Sequence, residues 1–541
     1  MIARKTFLIT SSQFFIRFLG WLGLVILARF WTVYADTALG IIGFAMSFLA
    51  LFNVLADLGF SRAHVKRISE GIDIGRCIGT FATIKILLTG FMVLIFFIAF
   101  FILKNFLHYD FSDTTTEIVI MLFVLYYVFF NLTQIATATF EGTREIAKKQ
   151  ITHLFEGVKT PLMIVVAIAG VSVAGVTTKV LWPDFLRSVQ QYIADHGIYF
   201  LAMTYISAMF ASFLAGMWFL RKYPIKKPSW NLFKSYVAFA LPIMLFSVIG
   251  VLSVNIDKLM IGYFWKDQIY QVGYYFTMQQ IEQMLAIFYL AVGVVLFPTI
   301  SRYHSYRDFK QIKKATHMAE RYISMIMVPP VVIIIVFVYP VIKILLSNEF
   351  LPAASVLIVL TIYTYIISLN RPYSSLINGM NRPAILTKIS LIIVFVNIPL
   401  NYLFIPRNGL LSPIGINGAT GAGIATVISA IIGYIGMRLA AKKLTDIKLE
   451  QTHMLLHIFA GFIMGVVLYF LAFRVLSLEI VPWYLLIMFI GIGVVVYVLV
   501  LTLLKEFNRK DFNFFLGLLN PKEMFNYVSS ELKHKPKKPS K

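Results

Sequence analysis

Apolar residues in this chain neither alternate with polar ones nor keep to one face of a helix. They come in long blocks, separated by short stretches rich in Lys, Arg, Gly and Pro. A helix needs about 20 such residues to cross a hydrocarbon layer about 30 Å thick. Fourteen blocks qualify, at 10–34, 37–60, 79–103, 117–140, 152–176, 198–220, 235–262, 271–300, 317–346, 353–378, 384–405, 417–440, 454–476 and 480–504. The pattern predicts an all-α polytopic membrane protein with 14 transmembrane helices. The first block follows Arg4 and Lys5, runs to about Tyr34 and is interrupted by Arg17 and Arg29. It is too long for a cleavable leader and reads as the first span.

Composition agrees. Of the 541 residues 59% are hydrophobic and 13% charged, against roughly 25% charged in a soluble domain. The single cysteine, Cys77, excludes an internal disulfide and any cysteine-based metal site. A net charge of +23 raises the question of nucleic acid, and the placement of the charges answers it. Alternate inter-span segments, with charges at span ends counted into the adjoining loop, carry 35 Lys and Arg on one side and 7 on the other. Such an excess marks the cytoplasmic side. Both termini are therefore expected in the cytoplasm of a plasma-membrane protein, and the basic charge records topology rather than nucleic-acid binding. The tail, 506–541, holds DFNFFLGLL (511–519) and ends in KHKPKKPSK. It reads either as an interfacial segment contacting anionic lipid headgroups or as a solvated tail that only fixes orientation.

A second periodicity lies above the spans. SRAHVKR (61–67) and SRYHSYR (301–307) share one basic heptad. Phe30-Trp31 and Leu39-Gly40 correspond to Phe264-Trp265 and Val272-Gly273. Gly142, Arg144 and Ala147 correspond to Gly379, Arg382 and Ala384, and Pro161-Leu162 to Pro399-Leu400. Four landmarks in one order at one spacing indicate a tandem duplication of two six-span units, 1–228 and 229–448. Six is even, so the units should enter the membrane in the same orientation, as a parallel repeat. Spans thirteen and fourteen (449–505) lie outside it. Two bundles have a seam, and a seam can line a cavity that opens to either side in turn.

Several stretches resemble a known family. LARFWTVYADTALGIIGFAMSFLALFNVLADLGFSRAHVKRISEG (27–71) and VNIDKLMIGYFWKDQIYQVGYY (254–275) are similar to the opening spans of each half of polysaccharide flippases. NIPLNYLFIPRNG (397–409) with GINGATGAGIATVIS (415–429) resembles their spans eleven and twelve. These proteins belong to the multidrug/oligosaccharidyl-lipid/polysaccharide exporter (MOP) superfamily, and the resemblance covers about residues 1–440. It implies a flippase, not an enzyme, that carries a lipid-linked glycan to the outer leaflet by alternating access. Its partners would be that glycan, membrane lipids and other glycan-assembly proteins. No cofactor is expected.

Charges deep in a bilayer face a cavity or a partner, because each costs roughly 2.5–3.5 kcal/mol at mid-membrane. Arg17 and Glu282 lie deepest, Lys85 is intermediate, and Arg371 precedes Pro372 at an expected break in span ten. These four are the substrate-cavity candidates. A buried structural pair, Arg17 with Glu282 for example, is the competing reading. A basic cavity suits phosphate or an acidic sugar. Arg29, Asp57, Glu156, Lys159, Asp257 and Lys258 lie nearer span ends and read as gating residues, or as snorkelling and helix-end pairs.

Gly418, Gly421 and Gly423 form no phosphate loop, since no Gly-Lys-Ser/Thr follows. They suit close helix packing. WPDFLRSVQQYI (182–193) predicts a short amphipathic outer helix, a gate or a cap. A multidrug cation antiporter shares the fold and would favour cavity acids over bases. A membrane glycosyltransferase or ligase would need outer carboxylates, and the sequence shows no metal-spaced His/Asp/Glu cluster.

Overall fold

The computed structural model describes residues 2–173, 176–177, 182–447, 452–478, 481–509 and 511–512. The tail motifs beyond Phe512 lie outside the described residues. Fourteen long helices run in chain order: α1 (Ile2–Trp31), α2 (Ala35–Asn53), α3 (Ile74–Asn105), α4 (Thr114–Gly142), α5 (Ile146–Ala169), α6 (Gly197–Leu220), α7 (Trp230–Phe264), α8 (Tyr270–Ser305), α9 (Phe309–Val336), α10 (Ala354–Gly379), α11 (Pro383–Phe404), α12 (Gly418–Thr445), α13 (Thr452–Tyr469) and α14 (Trp483–Leu503). Thirteen helical segments are long and apolar enough to cross a membrane. The chain is a multi-pass membrane protein. α8 is not among the thirteen, but its 36 residues extend about 54 Å at 1.5 Å per residue.

The structure corrects some boundaries. Span five was expected to reach 176, but α5 stops at Ala169, where Gly170 adopts φ +90°. A two-residue antiparallel hairpin, Ser172–Val173 with Val176–Thr177, follows. The expected break at Arg371-Pro372 is absent, and α10 runs through it. Buried Pro372 and fully buried Tyr373 hold the helix by packing despite the missing N–H. Conversely, span nine breaks unexpectedly at Phe337, and a separate helix, Val338–Leu345, carries the chain on. The amphipathic segment forms a 3-10 turn (Asp184–Leu186) and a helix (Arg187–Asp195). Gln190 there donates to the Ala169 carbonyl, which caps the end of α5.

The first six and the next six helices meet along α2, which packs against α7 and α8. Glycine permits the approach. A Cβ on Gly40 would stand 3.1 Å from the Gly273 nitrogen, and one on Gly273 would stand 3.0 Å from the Gly40 nitrogen and collide with the Asp36 carbonyl oxygen. Gly421 likewise lets α12 lie against α11, since a Cβ there would collide with the Phe404 carbonyl oxygen. α13 and α14 lean on α9. They are tied to it by Arg321, whose guanidinium bonds Glu506 at 2.7 Å and Asp511 at 2.8 Å just past α14.

Candidate transport site

α8 and α10 lie side by side, and their facing surfaces carry the deepest charges. Glu282 is 4% exposed and accepts a hydrogen bond from the Thr364 hydroxyl. Two turns along α8, Tyr289 presents its ring to Arg371, whose guanidinium carbon lies 5.3 Å from the ring centroid. Arg17, mid-way along α1, is exposed. It acts electrostatically on both Glu282 and Tyr289, but no carboxylate stands within ion-pair distance of it among the described residues. Three of the four cavity candidates thus converge from α1, α8 and α10. Several buried polar atoms on α10 have no hydrogen-bond partner among the described residues: both side-chain amide atoms of Asn370, the Nε of Arg371 and the hydroxyl of Thr361. Buried polar atoms are normally satisfied, so these invite a polar guest or water.

The fourth candidate is placed differently. Lys85 is fully buried and donates to Asp57 at 2.7 Å, Gln134 at 2.7 Å and the Ala56 carbonyl at 3.0 Å. It has the arrangement of a buried structural pair. The six end-of-span candidates divide as well. Arg29 donates to the Lys343 carbonyl at 2.8 Å and to that of Ile344, tying α1 to the last turn of the Val338–Leu345 helix. There a cation complements the helix dipole. Glu156 takes His153 at 2.7 Å. The Lys159 ammonium lies 4.5 Å from the centroid of the Tyr205 ring.

Asp257 and Lys258 do not snorkel, being 4% and 5% exposed. Asp257 accepts from Tyr275 at 2.6 Å and from Asn401 and Thr426 at 2.7 Å each. Lys258 turns to Gln279 at 3.0 Å. Both residues bond α8, and Asp257 alone also takes donors from α11 and α12.

Sequence reasoning missed Tyr289, Thr364 and Asn370. A signal existed for part of this set: Thr361, Thr364, Ser368 and Arg371 recur every three or four residues, a polar stripe on an otherwise apolar span. It also missed Glu320, which accepts from Tyr373 at 2.6 Å and Tyr434 at 2.7 Å with the Arg438 guanidinium 4.0 Å away. Charges at span ends were read as loop residues, and here they are buried.

The arrangement of helices matches known transporters. Over 92% of its length the chain superposes on 98% of a lipid II flippase, MurJ, in an inward closed conformation, with a TM-score of 0.69 at 18% identity. An inward-facing multidrug resistance MATE transporter of the MOP superfamily gives a TM-score of 0.61 at 13% identity, over 80% of this chain and 96% of that one. The chain shares the fold of these two transporters. A polysaccharide biosynthesis protein family model matches residues 188–355. By sequence the chain is 23% identical to a probable low-salt glycan biosynthesis flippase, Agl15, of Haloferax volcanii, over 80% of this chain and 82% of that protein. The relatives with a stated activity are flippases or transporters rather than enzymes. The chain is thus similar in fold to these transporters and in sequence to a glycan biosynthesis flippase.

Proposed function

We propose that the chain flips a lipid-linked oligosaccharide from the cytoplasmic to the outer leaflet by alternating access between two six-helix units. The observation that carries this is the convergence of Arg17, Glu282, Tyr289 and Arg371 from three helices. Two guanidinium groups against one carboxylate leave a net positive site, suited to the phosphate or acidic sugars of such a cargo. Fourteen spans, α8 included, with both termini cytoplasmic, complete the reading. The parallel repeat is supported by Gly40 and Gly273, which hold equivalent places in the two units and pack against one another. That contact joins the two units at the end bearing Arg29 and the 32–34 turn, the outer end in this topology.

The test is Arg17→Ala. With a cargo role, the variant stays folded in the membrane but loses surface-exposed glycan, and Arg17→Lys keeps part of the activity. With a role in a buried pair to Glu282, Arg17→Ala lowers folded protein instead, because breaking such a pair costs roughly 3–5 kcal/mol, and removing Glu282 as well restores it. Normal glycan export by a well-folded Arg17→Ala protein would end the cargo role. The buried carboxylate of Glu282 favours a second reading, a multidrug cation antiporter. That reading predicts dye efflux, lost in Glu282→Gln, with glycan export untouched.

A further inference from the structure

Away from the α1–α8–α10 convergence, the end of the first unit that carries Arg62 holds a cavity of about 430 Å³ between the short helix Phe60–Ser69, α4 and α5. This falls within the roughly 300–1,000 Å³ of small-ligand sites. Asp57, Arg62, Phe130, Gln134, Glu141 and Lys149 line it. We infer that this cavity is a saccharide subsite that takes one acidic sugar unit, an inference that rests on the flippase reading for its biological role.

Three features of the cavity carry the inference. The first is a fixed amide. The Gln134 oxygen accepts from the Lys85 ammonium at 2.7 Å and from the Ser61 hydroxyl at 2.8 Å. An ammonium only donates, so the atom facing it must be the carbonyl oxygen. The Gln134 NH₂ group therefore points away from Lys85, and no acceptor claims it among the described residues. Buried Lys85 thus orients a donor for a ligand hydroxyl, beside the half-buried Asp57 carboxylate as an acceptor.

The second feature is an apolar face. Phe130, held stacked on Tyr126 with ring centroids 6.5 Å apart, lines a cavity whose other named residues are mostly polar. A pyranose is a polyol with one face of C–H groups. It needs this mixture, whereas a lipid tail would need an apolar lining and an inorganic ion would need no ring.

The third is charge. Lys85 pairs with Asp57 at 2.7 Å and Lys149 with Glu141 at 2.5 Å. Arg62 is exposed and has no carboxylate within ion-pair distance among the described residues. The surplus is one guanidinium, whose planar fork matches a carboxylate.

The test uses the full-length protein in detergent and isothermal titration calorimetry. The probes are methyl β-D-glucuronide, methyl β-D-glucoside and inorganic phosphate. The glucuronide should bind saturably, about tenfold or more tighter than the glucoside. Binding should weaken at least as much in Arg62→Gln and in Phe130→Ala. If Phe130→Ala proves unstable, Phe130→Leu keeps apolar volume but removes the flat face. Arg62 is exposed and offers an independent arm. Absence of saturable glucuronide binding, equal binding of phosphate, or binding unchanged in both variants would overturn the site. Binding needs no transport, so the two readings fail separately. Export independent of this protein, with glucuronide bound as stated, removes the flippase and leaves the site. Export that depends on Arg17, with no glucuronide binding, removes the site and leaves the flippase.

Discussion

Lys85 and Asp57 form an ion pair whose lysine has no contact with solvent. Its ammonium is affordable there because Asp57, Gln134, Asn131 and the Ala56 carbonyl surround it. Lys85→Met should lose roughly 3–5 kcal/mol of stability, because it leaves the Asp57 charge without its partner. Lys85→Met combined with Asp57→Leu should recover most of that loss. Thermal unfolding of the two proteins in detergent checks this, and equal stabilities would show that the pair is unimportant. His64, from the first heptad, gives a pH-dependent counterpart. It is fully buried between Tyr236 and Thr139, each at 2.9 Å, and burial holds its pKa down to about 3 from an ordinary 6.5. Between those values the unfolded chain binds more protons than the folded one. The group's contribution is therefore complete above about pH 6.5 and falls as pH drops towards 3. Melting temperature should decline through this window, and His64→Gln should flatten the decline.

At the scale of elements, the α2–α8 contact is set by backbone rather than side chains. Gly273→Ala puts a methyl group against the Asp36 carbonyl, and backbone cannot swing aside as a side chain can. The substitution should force the helices apart, lower the melting temperature and reduce transport. Gly90 on α3 is the control, since a Cβ there meets nothing within 4 Å. Gly90→Ala should be neutral, or stabilising by about 0.5–1 kcal/mol through helix propensity. Equal effects at the two positions would mean that the contact is loose. α13 and α14 show the opposite kind of fixation. They dock on α9 through charge, with Arg321 bridging Glu506 and Asp511, and His453 adding a third contact to Glu506 at 2.8 Å.

For the whole molecule, the expected topology places the loops bearing Arg62, Arg144, Arg221, Arg302 and Lys442 in the cytoplasm. Single cysteines in these loops, on a Cys77→Ser background, should resist an impermeant reagent applied from outside. Cysteines near Arg187 and Arg407 should react. Cys77 is buried, so its removal should perturb little beyond local packing. External labelling within 302–316 would exclude the fourteen-span arrangement.

The sequence by itself determined the class of protein. Long apolar blocks have no soluble alternative, and a helix is the way a single segment satisfies its backbone in lipid. It also determined which charges are costly, and so which residues to watch. Span five's end, the break at Phe337 and the unbroken passage through Pro372 were not legible, because local conformation there yields to packing from distant segments. Pairing was decided by tertiary structure alone. Nothing in the sequence tells that Lys85 meets Asp57 while Arg17 has no carboxylate partner among the described residues, or that Asp257 ties α7 to α11 and α12. Electrostatic partners are chosen by distance in space, and a bundle of helices brings residues hundreds of positions apart within 3 Å.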